Sequence, residues 1–438
     1  MTGHEAYGIG RAGRFSPTRL AGAKRVQRRL ICLAACLALA SCGIPQKRSP
    51  VPAGQIEDAA PYGIVAKPLR FWGDGVGESK IQAIKSNRTK ALKRFFGNKL
   101  HSGARLSEDM IAFSGGGPDG AYGAGLMRGW TERGDRPDFS LVTGISTGAV
   151  VALFTFLGPD YDETLREIFS NYDTEALFTP AIFSALTGGP ALGDSEGYRR
   201  LIAKYVTADV VARIAREFAR GRVLLIGTTN LDAARPMIWD VTQVAASGHP
   251  KALELVHEII RGSSAIPAAL PPAVIPVIGT DGKRYDEVHV DGGAVTQVTL
   301  MLPQISLRDF DEALGVTIDR RAYVVVNNEL VERYDPVELE LLSITKKAVG
   351  SLIGGSDLGD LYEIYTLTRR DGVDFNLTYI PADFHAQQDQ PLDPAYMKAL
   401  YRYGYETGLK GDFWLTRPPG FKPGPGVAIE EGPDVPEQ

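Results

Sequence analysis

Ser146 has the surroundings that most favour nucleophilic chemistry in this chain. It lies in the pattern Gly144-Ile145-Ser146-Thr147-Gly148, after an apolar, strand-like run and before a helix-competent stretch. A strand that turns sharply into a helix exposes such a serine, and Gly144 and Gly148 allow the backbone to approach closely around it. The pattern alone is weak evidence, because 49 of the 438 residues are glycine.

A second glycine-rich loop lies upstream, in Ser114-Gly115-Gly116-Gly117-Pro118-Asp119-Gly120. It also lies between a strand-like run and a helical pattern, so the backbone N–H groups of Gly115, Gly116 and Gly117 can surround an anion beside a helix N-terminus. In acyl transfer this anion would be the tetrahedral oxyanion. The loop also fits the dinucleotide fingerprint G-x-G-x-x-G, but the next strand ends in the serine turn instead of an acidic residue.

Asp291 is a candidate general base. It ends the alternating run from Tyr285, which predicts a strand, and Gly292 and Gly293 follow it. Asp-Gly is most often simple turn chemistry. In a chain that also has a serine turn and a glycine loop, we favour a carboxylate that takes the serine proton directly.

A Ser-His-Asp triad is the alternative to a Ser-Asp dyad, and it requires a histidine that can act as the base. The order Ser, Asp, His would make His385 the base, but nothing around it in sequence indicates a rigid catalytic turn. His289 precedes Asp291 by two residues and would share its strand face, where it could modulate the carboxylate. We therefore predict a Ser146–Asp291 dyad without histidine.

Together these motifs resemble the patatin-like phospholipase family, whose pattern is a glycine-rich loop, G-x-S-x-G and then Asp-Gly-Gly. The segment Arg261–Pro267 is similar to a further family segment, and the resemblance covers about residues 108–300. It implies a serine lipid acyl hydrolase or esterase in which Ser146 is the nucleophile, Asp291 the base and Gly115–Gly117 the oxyanion hole. Many members carry Arg or Lys where this chain has Pro118-Asp119, which leaves the backbone donors and a helix dipole to stabilise the oxyanion.

The expected fold class is α/β, a three-layer α/β/α sandwich with a largely parallel central sheet and a C-terminal helical addition, over residues 67–416. The strand candidates are Met110–Phe113, Phe139–Gly144, Val223–Thr228, Pro236–Asp240, Glu287–Asp291 and Ala322–Asn327. The helix candidates are Gly120–Glu132, Gly148–Leu157, Asp162–Asn171, Ser195–Tyr205, Ala208–Arg220, Lys251–Arg261 and Pro336–Leu352. Alternating strands and helices favour a parallel, covered sheet.

An aromatic and aliphatic segment follows the serine turn, and either an acyl chain or ordinary core packing would explain it. Its members are Phe169, Tyr172, Leu177, Phe178, Ile182, Phe183 and Leu186.

The first 42 residues predict a lipoprotein signal peptide. A basic stretch precedes the apolar run Leu30–Ala40, which is too short for a bilayer span of about 20 residues. The following Leu-Ala-Ser-Cys42 closely resembles the bacterial lipobox, in which the cysteine carries the lipid. All three cysteines lie in this segment, so the mature chain would form no disulfide.

Proline and glycine dominate the segments that flank the predicted domain. We expect residues 43–66 to be a flexible tether and residues 417–438 a disordered tail. Gly43 after the cysteine, instead of Asp, favours the outer membrane over the inner one.

The partners that we expect are a lipid or ester substrate and, through the anchor, a membrane. The net charge of −4 gives no reason to expect nucleic acid. We expect neither a cofactor nor a metal site. The alternative is an envelope lipoprotein that uses the same fold as a catalytically silent binding or scaffold module.

Overall fold

The computed structural model describes residues 48–65, 68–177, 179–180, 191, 193–330 and 336–421. The predicted signal peptide, its Cys42, and residues 422–438 of the predicted tail lie outside the described residues, as do Phe178, Ile182, Phe183 and Leu186.

Twelve strands and twelve α-helices make up the described chain. The strands are β1 Ala60–Pro61, β2 Arg70–Trp72, β3 Leu106–Phe113, β4 Leu141–Ile145, β5 Thr179–Pro180, β6 Gly193–Asp194, β7 Val223–Asn230, β8 Arg235–Asp240, β9 Ala273–Ile278, β10 Arg284–Asp291, β11 Ile318–Val326 and β12 Asp374–Tyr379. The helices are α1 Glu78–Phe96, α2 Gly120–Arg133, α3 Thr147–Leu157, α4 Asp162–Asn171, α5 Thr174–Leu177, α6 Glu196–Tyr205, α7 Ala208–Ala219, α8 Val241–Ala246, α9 Ala252–Ser263, α10 Arg308–Leu314, α11 Leu341–Asp371 and α12 Pro394–Lys410.

The main sheet is parallel in its centre and antiparallel on its flanks. Strands β7, β4, β3, β11 and β12 are neighbours in that order and all pair in parallel. Strands β10, β9 and β1 continue the sheet in antiparallel pairs, and β8 with β2 adds a second antiparallel pair on β7. The expected parallel arrangement therefore holds for the strands that lead to the serine and glycine loops.

Helices cover both faces of the sheet, as the α/β/α class requires. Along β3, Ile111 and Phe113 pack in one core with residues of α2, α3 and α12, while Met110 and Ala112 pack in a second core with residues of α1, α10 and α11. The alternation arises because successive side chains of a strand point to opposite faces. The three-layer prediction is confirmed, and α12, packed against α2, is part of the C-terminal helical addition.

Every strand and helix named from the sequence has a counterpart in the structure. The least accurate is the helix predicted at Pro336–Leu352, since α11 begins at Leu341 and continues to Asp371. The elements that were not predicted are strands β1, β2, β5, β6, β9 and β12 and helices α1, α5, α8, α10 and α12.

Residues 48–65 correct the prediction of a flexible tether. Val51, Ala59 and Ile64 are buried in the main core, and Ala60–Pro61 pairs with β9. The Arg70 guanidinium donates to the carbonyl oxygens of Ile56 and Ala59, each at 3.2 Å. Proline and glycine content misled the prediction because the few apolar residues in this segment are enough to bind it to the sheet.

The predicted disordered tail also begins too early. Residues up to 421 are described, and the Phe421 ring packs edge-on against Tyr365 at 4.7 Å between centroids. Tyr362 on the same helix, α11, donates its hydroxyl to the Pro419 carbonyl at 3.0 Å.

Among the described residues, no helix combines the length and the apolar composition that a bilayer crossing requires.

Candidate active site

Ser146 forms the sharp turn between β4 and α3. Its φ of +56° and ψ of −128° lie in a region that a residue with a side chain rarely occupies. Such strain costs on the order of 1–3 kcal/mol and persists only where the surroundings enforce it. Here Gly144 and Gly148 are in such close contact that a Cβ on Gly144 would lie 2.2 Å from the Gly148 carbonyl oxygen. A Cβ on Gly148 would in turn lie 2.3 Å from the Ser114 carbonyl oxygen, so the turn requires both glycines.

The Ser146 and Asp291 side chains are in direct contact. The Ser146 hydroxyl donates to Oδ2 of Asp291 at 2.7 Å, and both residues are buried. The sheet register explains this proximity, since Gly227 of β7 pairs with Ile145 and the adjacent Thr228 pairs with Asp291. The C-terminal ends of β4 and β10 therefore meet along one edge of β7.

The surroundings of the Asp291 carboxyl shift its pKa towards neutrality. Burial raises its pKa to about 6, although hydrogen bonds from the Ser146 hydroxyl and the Gly293 N–H act in the opposite direction. The Gly293 N–H donates to Oδ1 at 2.8 Å, so the two carboxylate oxygens have different partners. Oδ2 faces the serine, and Oδ1 is held by the backbone.

The glycine loop lies against the serine. A Cβ built on Gly115 would be 3.2 Å from the Ser146 Cβ. Gly116 has no room for a side chain, because its Cβ would lie 2.0 Å from the Asn327 carbonyl oxygen. Gly117 has a φ of +58° but open space around it.

The backbone N–H groups around the serine do not all remain available for an oxyanion. The Gly115 N–H donates to the Gln297 carbonyl at 3.2 Å, and the Ser146 N–H donates to Ser263 Oγ at 2.8 Å. The N–H groups of Gly116, Gly117 and Thr147 make no hydrogen bond within the described part of the chain. The prediction for Gly115 is therefore corrected, since its own N–H is already engaged and it shapes the loop without acting as a donor.

Neither of the two candidate histidines contacts the dyad. His289 is fully buried, and its ring nitrogens are hydrogen-bonded to Thr228 Oγ1 at 2.9 Å and to Glu287 Oε2 at 3.2 Å. Burial lowers the pKa of His289, although Glu287 opposes this effect. His385 is exposed, on the segment between β12 and α12. A histidine triad therefore has no support in the geometry.

Three residues that the sequence reasoning did not assign hold the site in place. Ser263 accepts from the Ser146 N–H and donates to the Gly227 carbonyl at 2.6 Å. Asn327 follows β11 and donates to both oxygens of Ser114, at 2.8 Å from its N–H and 2.9 Å from its amide. The backbone carbonyl oxygen of Gln297 accepts from the Gly115 N–H, as described above. Only Ser263 had a sequence signal, since it lies in the family-like segment after Arg261.

An apolar cavity beside α1 does not reach the Ser146–Asp291 pair. It opens between the sheet and α1, on the face that carries Met110 and Leu141, and its volume is about 950 Å³ including the mouth. Ser146 and Asp291 are absent from its lining. We therefore locate the chemistry by the Ser146–Asp291 contact and not by cavity size.

The described residues contain no group of three or more His, Cys, Asp or Glu side chains placed to hold a metal ion.

Residues 111–302 match the family model for patatin-like phospholipases. This part of the chain is therefore a patatin-like phospholipase domain, and the resemblance inferred from the motifs is confirmed. The match to this family model supports lipid hydrolase activity.

Two solved structures show a distant likeness. The crystal structure of VipD from Legionella pneumophila is 10% identical with a TM-score of 0.35, and the match covers 70% of this chain and 67% of that chain. Human GIVD cytosolic phospholipase A2 is 12% identical with a TM-score of 0.24, over 65% of this chain and 51% of its own. At such TM-scores neither likeness carries information about activity. No curated protein sequence matches the chain.

Gly116 and Gly117 differ in a way that substitution can measure. In Gly116→Ala the new Cβ collides with backbone, so the loop must move, and we expect kcat to fall at least about 100-fold, as for loss of an oxyanion donor. In Gly117→Ala the Cβ meets open space, and the left-handed conformation costs only about 1–2 kcal/mol. We expect a clearly smaller loss, measured with p-nitrophenyl butyrate on variants shown to be folded by circular dichroism. Equal losses for the two variants would contradict the assigned loop geometry.

Proposed function

We propose that this protein is a serine hydrolase that cleaves carboxylic esters of lipids, with Ser146 as the nucleophile and Asp291 as the general base. The observation that carries the proposal is the 2.7 Å hydrogen bond from Ser146 Oγ to Asp291 Oδ2 inside a patatin-like phospholipase domain. A serine that already donates to a buried carboxylate has a path for its proton when it attacks.

Two acyl-transfer steps follow from this arrangement. Ser146 Oγ attacks the ester carbonyl carbon while its proton passes to Asp291 Oδ2. When the tetrahedral intermediate collapses, the leaving alcohol takes that proton and the acyl group stays on Oγ. Water then attacks the acyl-enzyme and gives a proton to Asp291, and the second collapse returns that proton to Ser146 and releases the acid.

The free N–H groups of Gly116, Gly117 and Thr147 are the proposed oxyanion donors. Thr147 begins α3, so the N-terminal end of that helix dipole also favours negative charge beside Ser146. Asp119 stands where many members of the family carry Arg or Lys, so no cationic side chain at this position assists the oxyanion. Burial raises the pKa of Asp119 to about 7, and the Tyr396 hydroxyl donates to its carboxyl at 2.6 Å. The proposed stabilisation therefore comes from backbone groups.

A small apolar cleft begins at Val150 of α3, one turn after Ser146. Its interior volume of about 20 Å³ is about that of one water molecule, so it does not accommodate an acyl chain. Leu201 and Ile202 of α6 and Ile260 of α9 form its other walls. Of the earlier aromatic candidates, Phe169 and Leu177 are buried in the core instead, which supports the packing interpretation for those two.

The dyad predicts that two single substitutions have nearly equal effects. Ser146→Ala removes the nucleophile and Asp291→Asn removes the proton acceptor, so each should lower kcat for p-nitrophenyl butyrate by on the order of 10⁴-fold or more, because the two residues act as one unit. Ser247→Ala is the matched control, since that hydroxyl donates to the Val244 carbonyl and accepts from the His249 N–H at the end of α8 and touches neither Ser146 nor Asp291. Near wild-type hydrolysis by Ser146→Ala would exclude the mechanism, whereas absence of hydrolysis by the folded wild-type protein would favour the catalytically silent module.

The pKa of Asp291 predicts an acidic limit to activity. Because the base must be ionised, kcat/KM for a neutral ester should fall about tenfold per pH unit below the Asp291 pKa of about 6. Burial also raises the pKa of the nearby Asp360 to about 6, so Asp360→Asn must be measured alongside. We expect the fall of kcat/KM at acidic pH, the acidic limb of the profile, to persist in that variant. A flat profile down to pH 5, or a limb lost in Asp360→Asn, would contradict Asp291 as the base.

We also propose that lipid on Cys42 anchors the protein in the bacterial envelope, on the outer membrane. The support is sequence alone, namely the basic stretch, the short apolar run and the lipobox-like Leu39–Cys42. Two or more acyl chains make membrane binding effectively permanent, whereas one holds a protein only reversibly.

Substitution of two of the three cysteines distinguishes a lipid anchor from an apolar segment that carries cysteines by chance. Cys42→Ser should block palmitate incorporation and leave an unprocessed precursor, whereas Cys36→Ser, a matched change in the same segment, should be processed normally. Normal cleavage and membrane fractionation of Cys42→Ser would sink the anchor and leave the hydrolase proposal intact.

A further inference from the structure

Gln297 bridges the two loops that form the proposed active site, although neither sequence motif includes it. The backbone carbonyl oxygen of Gln297 accepts from the Gly115 N–H of the glycine loop at 3.2 Å. Its side-chain Nε2 donates to the Gly293 carbonyl at 2.7 Å, in the turn that follows Asp291. The residue is only 3% exposed.

The Gln297 amide fills the space that both glycines leave open. A Cβ on Gly115 would lie 3.0 Å from Oε1, and a Cβ on Gly293 would lie 2.6 Å from Nε2. The amide is therefore in contact with both backbones at once, and neither loop can shift towards the other without displacing it.

Asp360 of α11 holds Gln297 from behind. Oδ2 of Asp360 accepts from the N–H groups of Gln297 at 2.6 Å and of Val298 at 3.1 Å. Two backbone donors on one carboxylate oxygen fix the start of the segment that carries Gln297. Gln297 is therefore tied to α11, which packs on the face of the sheet opposite to α3.

We propose that Gln297 is a positioning residue that sets the geometry of the oxyanion donors relative to the base. Through Gly293 it orients the N–H that donates to Asp291 Oδ1 at 2.8 Å. Through Gly115 it fixes the residue immediately before the free N–H groups of Gly116 and Gly117. This role rests on the proposed function, and Gln297 itself touches no reacting atom.

The test compares Gln297→Ala with Gln243→Ala. Gln243 lies at the start of α8 and is partly buried. Like that of Gln297, its Nε2 donates to a backbone carbonyl, that of Pro68 at 2.9 Å, and it also donates to Asp240 Oδ2 at 2.8 Å. Active serine is counted by titration with a fluorophosphonate, and kcat and KM for p-nitrophenyl butyrate are expressed per titrated site. Affinity for a trifluoromethyl ketone, whose adduct on serine carries an oxyanion, is measured in parallel.

For Gln297→Ala we expect kcat per titrated serine to fall by about 10- to 100-fold, as misplacement of catalytic groups does. KM should stay within about twofold, and the ketone affinity should fall with kcat, because only interactions made in the transition state are lost. Gln243→Ala should match the wild type in all three. Gln297→Asn, which keeps the amide on a shorter chain, should recover part of the loss.

An unchanged kcat per titrated serine, or a loss confined to the titratable fraction, would overturn the proposal. If Gln297→Ala fails to fold, Asp360→Asn gives the same decision, since it weakens the support of Gln297 without removing a core side chain and should lower kcat and ketone affinity together. Failure of the proposed function has a different signature, namely hydrolysis by Ser146→Ala at the wild-type rate.

Discussion

The geometry of the site depends on two strands that end against each other along one edge of β7. Parallel β4 ends where Ile145 pairs with Gly227, and antiparallel β10 ends where Asp291 pairs with Thr228. Adjacent residues of a strand are only about 3.3 Å apart, so the chain that leaves β4 begins beside Asp291. The contact between Ser146 and Asp291 is thus a consequence of sheet register and needs no long side chain to reach across the site.

Gly227 connects several of the remaining constraints. Its carbonyl oxygen accepts from Ser263, which in turn accepts from the strained Ser146 N–H. A Cβ on Gly292 would come within 2.8 Å of the same oxygen, so the turn after Asp291 passes close above it. The Gly227 backbone therefore supports the turn at Ser146 and limits the path of the turn that follows Asp291. The energy needed to hold Ser146 at positive φ is offset by this local network and by the start of α3.

The sequence predicted most of the central fold and the two residues of the proposed dyad, because each depends on local patterns. Strand-like runs preceded Gly115 and Ser146, and the alternation of β10 led to Asp291. It could not predict Gln297, because the bonds of that residue to Gly115 and Asp360 join segments that are 182 and 63 residues away in the chain. It also could not show that the Gly115 N–H is engaged, since three successive glycines look alike until the loop is placed against Gln297.

The errors at the two ends of the domain have a common physical cause. A composition rich in proline and glycine predicts poor packing on average, but it does not show whether individual apolar side chains in the segment can pack against the domain. Val51 and Ile64 at one end and Phe421 at the other each find an apolar surface already formed by the domain. A few such contacts, with the hydrogen bonds from Arg70 and Tyr362, are enough to order a short segment.

The central claim is that Asp291 activates Ser146 towards acyl transfer. Fluorophosphonate labelling followed by peptide mass spectrometry tests it most directly, because only an activated serine reacts at an appreciable rate. We predict that the label is found on Ser146 in the wild-type protein and that Asp291→Asn, although folded, is labelled at least about 100-fold more slowly. Absence of label on wild-type Ser146, or equally fast labelling of the Asp291→Asn variant, would contradict the account.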